Sequence, residues 1–160
     1  MRPSISECAV VLILTVLLSC GGGVGRSQSA GKVIMNEANC HGRDWIELVN
    51  TTQAAIDIGG WKVADDLYKD GHQYALPAGT AIQPGEYLLV KQASGLEAGF
   101  DFGIKCGEDS VYLLDGAGAL VDEAAVGDAP YGSTWGRLPD LTGLWRETYP
   151  TGGYENQAPL

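Results

Sequence analysis

Asp44 to Trp61 reads DWIELVNTTQAAIDIGGW, and the pattern of this stretch decides the fold class. Trp45 to Val49 is a run of strand-forming residues, Asn50, Thr51 and Thr52 make a polar turn, and Ala54 to Ile58 supplies a second strand. Gly59 and Gly60 then break the chain before Trp61 opens a third. With a side-chain period of two, Ile46 and Leu48 share one face of the first strand while Trp45, Glu47 and Val49 share the other. Neither face is purely polar, which suits a strand in the middle of a sandwich whose outer face is partly covered.

Outward from this stretch the same grammar repeats. Strand-like runs lie at Val33 to Ala38, Trp61 to Ala64, Gln73 to Leu76, Tyr87 to Lys91, Ser110 to Leu114, Leu120 to Val126 and Thr134 to Arg137, with Gly, Pro, Asn and Asp between them. Gly and Pro interrupt every stretch with helical periodicity, and Ala93 to Phe100, the nearest approach to a helix, reads as a loop or a single turn. Many short strands at about ten-residue spacing predict an all-β sandwich or barrel. A domain of about 130 residues buries somewhat under 70% of its unfolded surface, enough for a self-sufficient core.

The N-terminal thirty residues read differently. Cys8 to Leu18 is an apolar run broken by one threonine, shorter than the about 20 residues that span a bilayer and suited to the h-region of a secretory signal. It ends in Leu17-Leu18-Ser19-Cys20 followed by three glycines, which resembles the lipobox of bacterial lipoproteins. That resemblance implies a signal peptide over 1–19, lipidation of Cys20, a Gly/Ser-rich linker over 20–31 and a folded domain over 32–157. Acyl chains on Cys20 contribute roughly 0.8 kcal/mol per buried methylene, so the mature protein is expected to be membrane-anchored rather than spanning. An ordinary signal peptide cut near Ser27 to Ala30 and an uncleaved anchor are the competing readings.

Charge narrows the partners. Cleavage before Cys20 removes Arg2 and Glu7 together and leaves the net charge at −10. An acidic surface without a Lys/Arg cluster repels phosphate backbones, so nucleic acid is not an expected partner. Of the four cysteines, Cys40 and Cys106 remain in the domain. In an exported protein they are a candidate disulfide, contributing roughly 4 to 5 kcal/mol by loop closure less any strain, with two buried thiols as the alternative.

The order of landmarks resembles the lamin tail domain, an immunoglobulin-like β-sandwich. Asn36-Glu37 in the first strand, Asp44-Trp45-Ile46-Glu47-Leu48-Val49-Asn50, Ile56-Asp57-Ile58-Gly59-Gly60-Trp61, Leu76-Pro77-Ala78-Gly79-Thr80 and Pro84-Gly85-Glu86-Tyr87-Leu88 are similar to the family's successive signatures. Gly107 to Asp115, Ser133 to Asp140 with Gly136-Arg137, and Pro150 to Asn156 fit its later segments, with Gly152 where proline is usual. The resemblance implies structural roles for Asn36, Glu37, Trp45, Glu47, Asn50, Gly60, Trp61, Gly136 and Arg137. Fold transfers this way; function does not.

No catalytic constellation emerges. Ser133 lacks a nucleophile elbow, and no carboxylate pair is marked by its context. Glu37 and Glu47 read as acceptors for backbone N–H groups of neighbouring loops. Asp65, Asp66 and Asp70 form an acidic loop without EF-hand spacing. Cys40, His41, Asp44 and Cys106 lack metal-site spacing, and adjacent residues on a strand point oppositely. Trp45, Trp61, Trp135, Trp145 and Tyr149 read as core and corner aromatics. The sequence therefore predicts a non-enzymatic, lipid-anchored envelope protein with no cofactor or metal, on the outer membrane or cell surface, whose domain engages another envelope protein. The alternative is a carbohydrate- or calcium-binding module beside secreted hydrolases, which exposed aromatics at Trp135, Trp145 or Tyr149 would favour.

Overall fold

A computed structural model describes residues 32–159; the expected signal segment, Cys20 and the linker lie outside the described residues. Among the described residues there is no helix. The strands are β1 (Val33–Asn39), β2 (Trp45–Asn50), β3 (Ile56–Asp57), β4 (Lys62–Ala64), β5 (Gln73–Ala75), β6 (Ala81–Ile82), β7 (Tyr87–Lys91), β8 (Ser110–Leu114), β9 (Leu120–Ala125), β10 (Thr134–Leu138) and β11 (Leu144–Thr148). A five-stranded sheet runs β11-β10-β1-β2-β7 and faces a four-stranded sheet, β5-β4-β8-β9, while β3 and β6 form a small ribbon. The pairings are antiparallel throughout. The all-β, immunoglobulin-like sandwich expected from the sequence is the observed architecture.

Inner faces meet where the alternation predicts. Ile46 and Leu48 of β2, Val63 of β4, and Val111 and Leu113 of β8 are fully buried between the sheets, with Met35, Ile58 and Phe100. Trp61, Trp135 and Trp145 are partly buried and pack against this core. The second face of β2 is also closed: Glu47 and Val49 are fully buried although they point away from the core strands' partners. The cover is the segment after β11, where a Cβ on Gly152 would meet the Trp45 ring at 3.1 Å and Leu89 at 3.2 Å.

Three elements differ from the sequence reading. β6 and β11 form where no strand was expected, and β3 holds two residues rather than five. β11 is an edge strand with Leu144, Arg146 and Glu147 among its five residues, so its composition advertises neither burial nor a period. Ala93 to Phe100 is a loop, closed by a Gln92–Phe100 bridge and a Ser94–Glu97 bridge.

Cys40, just past β1, is disulfide-bonded to Cys106 in the loop before β8, with the Cα atoms 5.4 Å apart across a separation of 66 residues. The bond ties the two sheets at one end of the sandwich.

Gly127 lets the Trp135 ring lie against the backbone after β9, since a Cβ there would stand 2.3 Å from that ring. Gly127→Ala is therefore expected to lower unfolding free energy by about 1–3 kcal/mol or more through overpacking, with loss of near-UV tryptophan signal; urea titrations of both proteins provide the check.

Candidate functional site

The most elaborate polar site sits on the outer face of the larger sheet and starts from a defect in β1. Met35 pairs with Leu48 and Glu37 with Glu47, so Asn36 is an extra residue, a β-bulge. The bulge sends the consecutive side chains Asn36 and Glu37 into one cluster. It also removes backbone groups from the ladder, and side chains replace the lost partners. Met35 N–H donates to Asp122 at 2.9 Å, Arg137 Nε donates to the Met35 carbonyl at 2.9 Å, and Asn156 Nδ2 donates to the Asn36 carbonyl at 2.9 Å.

Asp122 belongs to β9 of the opposite sheet and receives Arg137 Nη2 at 3.1 Å in a largely buried ion pair. The Arg137 guanidinium also lies 5.5 Å from the centre of the Trp145 ring. Trp145 Nε1 is buried without a hydrogen-bond partner among the described residues.

Three carboxylates then hold the segment that follows β11. Glu37 accepts Thr151 N–H at 3.1 Å, the Thr151 hydroxyl at 2.9 Å and the Thr134 hydroxyl. Glu47 accepts Gly153 N–H at 2.6 Å and Asn36 Nδ2 at 3.0 Å. Asp140, in the turn between β10 and β11, accepts Asn36 Nδ2 at 3.0 Å, Asn156 N–H at 2.9 Å and the Tyr87 hydroxyl at 2.6 Å. Gly136 gives this crossing its clearance: a Cβ there would come within 2.9 Å of Asn156 Nδ2 and 3.1 Å of the Asn36 carbonyl. The arrangement is a clasp that seats residues 151–156 over β1, β2 and β10.

The profile of the Lamin Tail Domain family matches residues 26–128, from before β1 to just past β9. The chain belongs to the lamin tail domain family. No curated protein matches it. The lamin tail domain is an immunoglobulin-like, non-catalytic interaction domain. In this lamin tail domain the matched segment ends before β10, so Gly136, Arg137 and the clasped segment lie beyond it.

The remaining motif residues of this lamin tail domain shape turns. Asn50 Nδ2 donates to the carbonyls of Ala54 and Ile82 at 2.8 and 2.9 Å, and its Oδ1 accepts Thr52 N–H, so one side chain folds the turn after β2 and reaches β6. Gly60 takes φ +79°, a left-handed conformation that favours glycine, and delivers Trp61 to the core. Asp44, considered with the cysteines as a ligand, instead accepts Ile104 N–H at 2.7 Å. In the acidic loop Asp65 is engaged by His72 Nδ1 at 2.8 Å and Asp66 by its own loop's N–H groups. Trp135 and Trp145 face the core, whereas Tyr149 is 53% exposed. Sequence reasoning missed Asp122, Asp140, Thr151 and Asn156 as members of the site; the Pro139-Asp140 and Asn156 landmarks were visible, but nothing linked them to Glu37 across the chain.

Burial pushes the Glu47 carboxyl up to about 7; hydrogen bonds from Asn36 and Gly153 oppose this, and the charges of Glu37 and Asp140 add to it. Glu37 and Asp44 are also raised, chiefly by burial. A carboxyl whose folded pKa lies above its unfolded value of 4.5 stabilises the fold below the unfolded pKa, and that stability is lost as pH rises through about 7. For Glu47 the full span is worth roughly 3 kcal/mol. The urea midpoint is thus expected to fall between pH 4.5 and 7 with a smaller slope in Glu47→Gln; equal slopes in the two proteins would refute this assignment.

Proposed function

We propose that this lamin tail domain is displayed on a bacterial envelope membrane by a lipid on Cys20 and docks an extended segment of another envelope protein. The observation that carries the docking half is an open seam between the two sheets. β7 and β5 are edge strands, and a groove between them is lined by Tyr74, Leu76, Leu88 and Val90. These are core-facing apolar residues, with Leu88 and Tyr74 only partly buried. Phe100 N–H occupies the Lys91 carbonyl at 3.2 Å, and among the described residues no strand pairs with the rest of the outer edge of β7. A strand added there gains backbone hydrogen bonds from β7 and sends alternate side chains into the groove.

The anchoring half rests on Leu17-Leu18-Ser19-Cys20 and the glycines that follow. A Gly/Ser-rich tether of this kind gives a lipid-held domain reach from the membrane surface. An acidic domain on such a tether favours a partner that is not itself strongly acidic. The domain works by binding alone in this reading, and the clasp is its structural foundation rather than its binding surface.

Two measurements test the halves separately. Metabolic palmitate labelling is expected in the wild-type protein and lost in Cys20→Ser; retained labelling excludes the anchor. A photo-crosslinking amino acid at Lys91, on the seam, is expected to capture a discrete envelope protein that the same group at Lys105 does not. Equal capture from both positions, or none from Lys91, removes the seam as the docking surface.

A further inference from the structure

The structure assigns Cys40, Cys106 and His41 a second state: on reduction of the disulfide they form a two-thiolate, one-imidazole site for a thiophilic divalent cation. The three residues bring one ligand atom each within 4.8 Å of one another. The opposed orientation expected for neighbours on a strand does not apply, because β1 ends at Asn39 and residues 40–43 are loop. Cys40 and His41 therefore both turn toward Cys106.

The imidazole is placed as a metal ligand is placed. Its Nε2 lies 2.8 Å from the Ala129 carbonyl, which fixes that nitrogen as the donor and leaves Nδ1 as the lone-pair nitrogen. Cys106 Sγ lies beside both ring nitrogens, 3.8 Å from Nδ1 and 3.4 Å from Nε2. Bonds of about 2.3 Å to sulfur and about 2.0 Å to nitrogen at tetrahedral angles put the two ligand atoms about 3.5 Å apart. Nδ1 is already near that spacing, and a turn of the ring aims its lone pair at the cation. The two sulfurs must separate, which side-chain rotation achieves at a Cα separation of 5.4 Å. His41 and Cys106 are partly buried, so a reductant and a hydrated cation reach the site from their side, while Cys40 is the more deeply buried member of the three.

The chemistry balances with a dithiol as reductant. A dithiol delivers two electrons and two protons, becomes a disulfide, and leaves Cys40 and Cys106 as thiols. Binding of the cation then releases the two thiol protons and forms two metal–sulfur bonds, with Nδ1 as third ligand and a fourth position open to water or an external donor. The oxidised and metal-bound forms are mutually exclusive.

The test uses the full chain in a Cys8→Ser, Cys20→Ser background, so that thiolate signals report only the domain cysteines. After reduction and removal of the reductant under anaerobic conditions, Cd(II) is expected to produce an ultraviolet thiolate charge-transfer band saturating at one equivalent, with Zn(II) competing for it. The oxidised protein shows no band. His41→Ala, which leaves the cysteines in place, weakens binding at least about tenfold. Absence of the band in the reduced chain overturns the inference. So does unchanged affinity in His41→Ala, or loss of the near-UV signal of the fold on reduction.

Discussion

The bulge at Asn36 is the constraint on which the rest of the structure depends. Beside this extra residue the pairing of β1 with β10 stops, leaving the Met35 N–H and the carbonyls of Met35 and Asn36 without strand partners, and each such buried group left unsatisfied would cost about 1–3 kcal/mol. The replacements come from distant places: Asp122 from the facing sheet, Arg137 from the neighbouring strand, Asn156 from the segment after β11. A local irregularity thus recruits three separate parts of the chain. Arg137 contributes twice, since the guanidinium that satisfies Met35 also pairs with Asp122 and holds β9 against β1.

Among the described residues no cation pairs with the carboxylate cluster beside the bulge. Arg137 is committed to Asp122, and Glu37, Glu47 and Asp140 are met by amide and hydroxyl donors instead. Burial disfavours the charged forms of Glu37 and Glu47 and is the origin of the raised Glu47 pKa, which the hydrogen bonds from Asn36 and Gly153 oppose. Replacing such a cluster with apolar side chains would spare the desolvation, yet it would also leave the N–H groups of Thr151, Gly153 and Asn156 unpartnered. Polar anchoring is what lets a segment without regular structure lie against a sheet.

Much of the fold was legible in the sequence because it depends on period-two alternation and turn residues, both local. β2, β7 and β8 follow directly from such patterns, and the second buried face of β2 was visible in Val49 and Glu47 sharing a side. β11 was not legible: an edge strand carrying Arg146 and Glu147 owes its form to pairing with β10. The bulge was not legible either, since strict alternation places Asn36 and Glu37 on opposite faces. The clasp followed it out of reach. Thr151 and Asn156 can be assigned to Glu37 and Asn36 only once the bulge has turned both side chains the same way.

The span of the clasp also orders events in time. Glu37 and Thr151 are 114 positions apart, and Asn36 and Asn156 are 120 apart. Contacts so remote in sequence form late, because their loop entropy is offset only after the intervening strands have paired. A chain emerging from a ribosome or a membrane pore with its early residues first exposes Glu37 and Glu47 long before Thr151 and Gly153 arrive. Until then those carboxylates face water, hydrated and ionised, and they keep the nascent outer sheet face soluble. The same side chains therefore act first as a solubilising surface and only afterwards as an interior.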